Sequence, residues 1–238
     1  MSLFLFIQEG LAEAATPALP ETTTVKINIL ELALKGGWVM IPIVLLFFIA
    51  LGIFIERMLV INQAAKEDES FMERIKDYVH EGNIKSAEKL CQKTQTPYAR
   101  MINKGLQRLG RPANDILAVL ENVGSIEVAK LEKGFAWIAT TAAIAPMLGF
   151  FGTVTGMVRA FFDMANAGSN VDITLLSSGI YEALVTTVAG LSVGIPVLFA
   201  YNYLVAKVDG IITQMESRTM DFMDILNESA GAAQSPEK

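Results

Sequence analysis

The chain is poor in the residues on which most soluble chemistry depends. Its 238 residues include one cysteine, Cys91, and one histidine, His80. A single cysteine excludes an intrachain disulfide and any cysteine-rich metal site. A single histidine leaves no pair to hold a metal and removes most acid–base constellations. Both read as ordinary helix-surface or core residues. No nucleophile–base pair stands out either, so neither an enzyme nor a bound metal or cofactor is expected. Charge is scarce too, at 18% of residues against about 25% in ordinary soluble domains. Its balance is acidic, with a net charge of -6. A nucleic-acid partner is therefore not expected, since a phosphate-binding surface needs a basic excess. What the chain has instead is apolar content, 52% of residues, which must be concentrated in segments that avoid water.

Three stretches carry that excess. The first is "WVMIPIVLLFFIALGIFI", Trp38 to Ile55, closed by Glu56-Arg57. As a helix it covers about 27 Å, close to the ~30 Å hydrocarbon core of a bilayer. The second runs from Phe135 to Val158 and is followed by Arg159. The third starts near Asp172, a natural N-cap, and ends at Ala206. All three read as membrane spans. The fold class expected is an all-α membrane protein, its second and third transmembrane helices extending into a helical cytoplasmic domain.

Basic residues beside the spans set the orientation. Arg57, Lys66, Lys130, Lys133 and Lys207 lie within reach of span ends, and the connection 163–171 has no Lys or Arg. By the positive-inside rule the long loop and the tail are cytoplasmic, and the N-terminus lies outside. The division that follows is 1–36, an outer N-terminal segment; 37–57, span one; 58–133, a helical cytoplasmic domain; 134–162, span two. Then come 163–171, a short outer connection; 172–206, span three; and 207–238, a cytoplasmic helix and tail.

Within 1–36, "LFLFI" is too short for a signal h-region and lacks a basic n-region, so no cleaved signal is expected. Ile27, Leu30 and Leu34 share a helical face, suited to the membrane interface or to a neighbouring subunit. The loop 58–133 shows helical stripes at Phe71, Ile75, Tyr78 and Val79, then at Ile84, Ala87, Leu90 and Cys91, with Gly82-Asn83 between. Pro97 can open a third helix, with Met101, Ile102, Leu106 and Leu109 inward. Ile116, Val119, Leu120, Val123 and Ile126 form a stripe that continues toward span two without a break. Ile212, Met215, Phe222, Met223 and Leu226 extend the third helix past the membrane, and the last eleven residues are expected to fray. These stripes are packing faces, not cofactor boxes.

Polar groups inside spans are informative because each is costly there, about 2.5–3.5 kcal/mol for a central acid or base on insertion scales. Glu182 is the one formal charge between residues 177 and 206. Counted from Asp172 it lies about 15 Å into the helix, whereas counting back from Lys207 leaves it near the outer interface. The first count is preferred, because the helix overruns the membrane at its cytoplasmic end. Thr186 and Thr187 lie beside Glu182 one turn on, and span two carries Thr140, Thr141, Thr153 and Thr155. Threonines can bond their own helix backbone, but together with Glu182 they suggest a hydrophilic lining. Arg159 either pairs with Glu182 or snorkels to the outer surface. Gly149, Gly152 and Gly156 of span two, with Gly190 and Gly194 of span three, allow close helix approach. Pro146 and Pro196 are expected to kink the helices.

The stretches "APMLGFFGTVTGMVRAF" (145–161) and "GIYEALVTTVAGLSVGIPVLFAYN" (179–202) resemble the MotA/TolQ/ExbB proton-channel proteins of bacterial inner membranes. With the Glu56-Arg57 exit and the large loop, the resemblance covers roughly 36–226 and is greatest to ExbB; TolQ is similar. It implies a homopentamer enclosing an ExbD-like single-span partner that carries the protonating aspartate, and coupling to a TonB-like protein. It also implies that Thr153, Glu182 and Thr187 match the family's pore threonine, intramembrane glutamate and span-three threonine. The alternatives are a TolQ-like envelope-integrity motor, or a membrane scaffold in which Glu182 serves only assembly.

Overall fold

The computed structural model describes residues 36–66, 68, 70–166 and 173–234. Seven helices follow in order: α1 (Met40–Ala64), α2 (Phe71–His80), α3 (Ile84–Lys93), α4 (Pro97–Leu106), α5 (Ala113–Leu131), α6 (Phe135–Asn166) and α7 (Ile173–Gln234). No strand occurs among the described residues. The outer face at Ile27, Leu30 and Leu34, the Asp172 cap and the end of the short connection lie outside them.

Three helices, α1, α6 and α7, are long and apolar enough to cross a membrane. They leave large side chains such as Ile41, Phe48, Phe150, Val158, Leu184 and Phe199 exposed. In water such a surface would be unstable; in lipid, or against other copies, it is the expected one. The chain is an all-α membrane protein. α6 and α7 pack as an antiparallel hairpin, and α1 lies against both. Ring contacts fix the register: Trp38 meets Phe151 at 6.2 Å, and Phe135 meets Tyr201 at 6.1 Å. The hairpin therefore runs about 22 Å past Trp38, from Phe151 to Asn166.

At 62 residues, α7 extends about 93 Å, far more than one bilayer crossing needs. Its lower half buries Leu204, Val208, Ile211, Met215, Phe222 and Ile225, a stripe at helical spacing. Helices α2, α4 and α5 pack on that half, and α3 packs on α2 and α4. Local chemistry sets the boundaries. Gly82 takes a left-handed φ of 71°, and Asn83 caps α3 by accepting from the Ser86 N–H. Pro97 opens α4.

One expectation is corrected here. The α5 stripe does not run into the second span: it stops at Leu131, and Gly134, with φ 89°, turns the chain into α6. A left-handed residue cannot continue a right-handed helix, so α5 is re-aimed to lie along α4 and α7. α7 is helical through Gln234, into the segment expected to fray. The helix that holds the first apolar stretch continues past Arg57 to Ala64. Pro146 and Pro196 lie inside α6 and α7 without interrupting either.

Candidate functional site

The α6–α7 crossing is built from residues without side-chain bulk. A methyl group added at Gly190 would stand 2.5 Å from the Ala145 carbonyl oxygen and 2.9 Å from the Gly149 Cα. One added at Gly194 would meet Pro146, one at Gly156 would meet Ala183, and one at Gly152 would meet Thr186. The two backbones are in contact along the whole ladder of small residues. Gly149, Gly152, Gly156, Gly190 and Gly194 all lie in this seam, and Pro146 packs into it.

That proximity puts backbone carbonyls within reach of hydroxyls from the opposite helix. Thr153 Oγ1 donates toward the Ala183 carbonyl at 3.1 Å, across the interface. Thr187 Oγ1 reaches the Gly149 carbonyl at 3.2 Å, and Thr186 Oγ1 reaches it at 3.3 Å. The Thr153 and Thr187 hydroxyls also touch each other. Each hydroxyl has one proton, so these contacts cannot all be donated at once. The pair can reverse its donor direction with little movement of heavy atoms, and both residues are half-buried. Thr186 is 1% exposed and closed off. Thr141 and Thr155 instead bond their own helix, at the carbonyls of Trp137 and Phe151. Thr140 is exposed.

Glu182 is half-buried beside the other end of this seam, its carboxylate against Gly37. Gly37 has φ 66°, and a side chain there would collide with the Glu182 carboxylate. Glu182 is therefore level with the residues that lead into α1, yet about 14 Å in from the start of α7 at Ile173. α1 thus begins near the level of the carboxylate, while the α6–α7 hairpin extends beyond it. Arg159 does not meet Glu182. Its guanidinium is exposed and lies 4.0 Å from Asp163, one turn along α6.

A profile of the MotA/TolQ/ExbB proton channel family matches residues 93–217, a segment holding Thr153, Glu182, Thr186 and Thr187. The chain belongs to that family. It is 30% identical over 198 residues to the biopolymer transport protein ExbB-like 1 of Synechocystis sp., covering 82% of this chain and 74% of that one. It is 27% identical over 222 residues to the Tol-Pal system protein TolQ of Haemophilus influenzae, covering 87% and 97%. Over 94 residues it is 36% identical to the biopolymer transport protein ExbB of Neisseria gonorrhoeae, covering 39% and 42%. The chain is a proton-channel motor subunit of the ExbB/TolQ type.

One polar centre of this ExbB/TolQ-type chain is not apparent from the sequence. Where α1 leaves the spans, buried Arg57 donates to the Lys130 carbonyl oxygen at 3.1 Å. One turn away, Glu127 is 3% exposed and accepts from Arg100 at 2.8 Å and from Lys130 at 2.7 Å. Burial alone would raise the Glu127 carboxyl, but the hydrogen bonds and charges of Arg100 and Lys130 outweigh it and hold the pKa below 4.5. The signal was present: Ile116, Leu120, Glu127 and Leu131 are on one buried face, and an acid on an apolar face needs partners. Among the described residues no cluster suited to a metal ion occurs.

Proposed function

We propose that several copies of this chain, five by the family resemblance, form the inner-membrane channel of a proton-driven motor that energises TonB-dependent outer-membrane transport. The observation that carries the reading is the Thr153–Thr187 hydroxyl pair, half-buried at a seam between two spans, with Glu182 further along the seam. An ExbD-like single-span partner supplies the aspartate that takes up protons from the outer side and releases them to the cytoplasm. When that carboxylate is charged, its desolvation is unfavourable, so protonation is coupled to movement of the partner inside the ring. Thr153 and Thr187 form the wall it passes, and Glu182 tunes or relays. The N-terminus is periplasmic, and α2–α5 with the lower half of α7 are cytoplasmic. A TolQ-like role in envelope integrity is the second reading, favoured by the match along nearly the whole Haemophilus protein.

Reconstitution of the chain with its co-purifying single-span partner tests this, with proton flux read by a pH-sensitive dye. Thr153→Val and Glu182→Ala are expected to abolish flux while native mass shows the oligomer intact. Near-normal flux in both would remove these residues from the pathway. If Glu182→Gln changes neither flux nor assembly, Glu182 has only the scaffold role.

A further inference from the structure

We infer that the groove between α5 and the lower half of α7 docks the basic cytoplasmic flank of a single-span membrane protein, bound as an amphipathic helix. This rests on the proposed reading that such a partner threads the assembly. The groove encloses about 780 Å³. Its walls carry Met101, Met215, Met220 and Met223, and Met220 is 68% exposed. Unbranched methionines adapt to a helix face that they do not match atom for atom. The floor is the α5 backbone at Gly124, where an added methyl group would stand 3.0 Å from Met101 Cε.

The rim is of one sign. Glu121, Glu216 and Asp224 line the groove, no Lys or Arg does, and among the described residues none of the three is in an ion pair. An apolar trough with unpaired carboxylates along its edge fits a helix with one apolar and one cationic face. Glu216 and Asp224 are eight residues apart, about 12 Å, so cations two turns apart on a partner helix reach both.

Position selects the source of such a helix. Glu216 and Asp224 lie nine and seventeen residues beyond Lys207, about 14 and 26 Å along α7. A helical segment leaving the bilayer beside α7 reaches them within its first seventeen residues. Those are the positions at which the cytoplasmic flank of a membrane span is enriched in Lys and Arg, within about 15–20 residues of its end.

The test has two arms, both on the full-length chain. A fluorescent 18-residue helical peptide, leucine on one face and lysine on the other, is titrated against the detergent-solubilised protein by anisotropy. Its affinity is expected to fall at least tenfold in Glu216→Lys/Asp224→Lys, and the same peptide with glutamate for lysine is expected not to bind. Met220→Glu, at an exposed position, provides a second variant should charge reversal impair folding. In the other arm, a photo-crosslinking residue replaces Met220 in cells and the adduct is identified by mass. An adduct with a single-span protein that is lost in the charge-reversed variant supports the proposal. An adduct with a second copy of the chain overturns it and makes the groove a contact between copies. Peptide affinity that charge reversal leaves unchanged, or a single-span protein that co-purifies without forming an adduct, overturns the docking site and leaves the proposed function standing. If no single-span protein co-purifies at all, the proposed function fails, and the docking proposal with it.

Discussion

The helix seam predicts the consequence of adding a single methyl group. In Gly190→Ala the new Cβ would lie 2.5 Å from the Ala145 carbonyl oxygen, 2.9 Å from Gly149 Cα and 3.1 Å from Gly149 N. All three are backbone atoms, so no rotamer change relieves the clash. Restoring an ordinary contact of about 3.5 Å requires α6 and α7 to separate by about 1 Å. Overpacking of this kind costs about 1–3 kcal/mol. A shift of that size also takes the Thr186 and Thr187 contacts with the Gly149 carbonyl, now 3.3 and 3.2 Å, out of hydrogen-bond range. Each such bond between membrane helices contributes about 0.6 kcal/mol. Alanine's better helix propensity returns at most about 1 kcal/mol. The net expectation is a loss of about 1–3 kcal/mol, together with loss of proton flux. Gly210→Ala on the same helix is the control, because no atom lies within 4 Å of its added methyl. It should match or exceed the parent protein. Unfolding midpoints in an SDS titration, with far-UV circular dichroism as the signal, check both variants. Equal midpoints for Gly190→Ala and the parent, with flux intact, would refute the reasoning.

Other perturbations report on the cytoplasmic half. Glu127→Ala should destabilise the protein by about 1–3 kcal/mol, because it removes charge-assisted bonds from Arg100 and Lys130; both cations are partly exposed and are rehydrated. A denaturant titration of the variant checks this. The same carboxyl contributes a pH dependence of defined sign. Its folded pKa lies below 4.5, so its contribution is complete above about pH 4.5 and is lost as the pH falls through the depressed value. The stability difference between the parent protein and Glu127→Gln should therefore shrink on acidification below pH 4.5. Cys91 is 2% exposed, and burial pushes its thiol up to about 12. A maleimide should leave it unmodified at pH 7 in the folded protein and label it after denaturation; rapid native labelling would contradict its place in the core.

The sequence by itself determined the three long apolar helices seen among the described residues, because apolar runs of about eighteen residues or more suit lipid rather than water. It also determined the helical nature of the loop and the glycine and threonine positions, since period 3.6 and small residues in a span each have a direct physical reading. The break at Gly82-Asn83 before α3 and the start of α4 at Pro97 were legible for the same reason: glycine's conformational freedom and proline's fixed φ act locally. The family resemblance singled out Thr153 and Thr187, but only the tertiary structure decided which threonines bridge α6 and α7. Thr141 and Thr155 share a helix with Thr153 and, like it, bond carbonyls of that helix, but Thr153 also reaches the Ala183 carbonyl and the Thr187 hydroxyl of α7. Tertiary register also placed Glu182 against Gly37, just before α1, and set Arg159 near Asp163. The buried Glu127 with its cations and the acidic methionine groove likewise depend on helices far apart in sequence meeting, which spacing along one chain cannot encode.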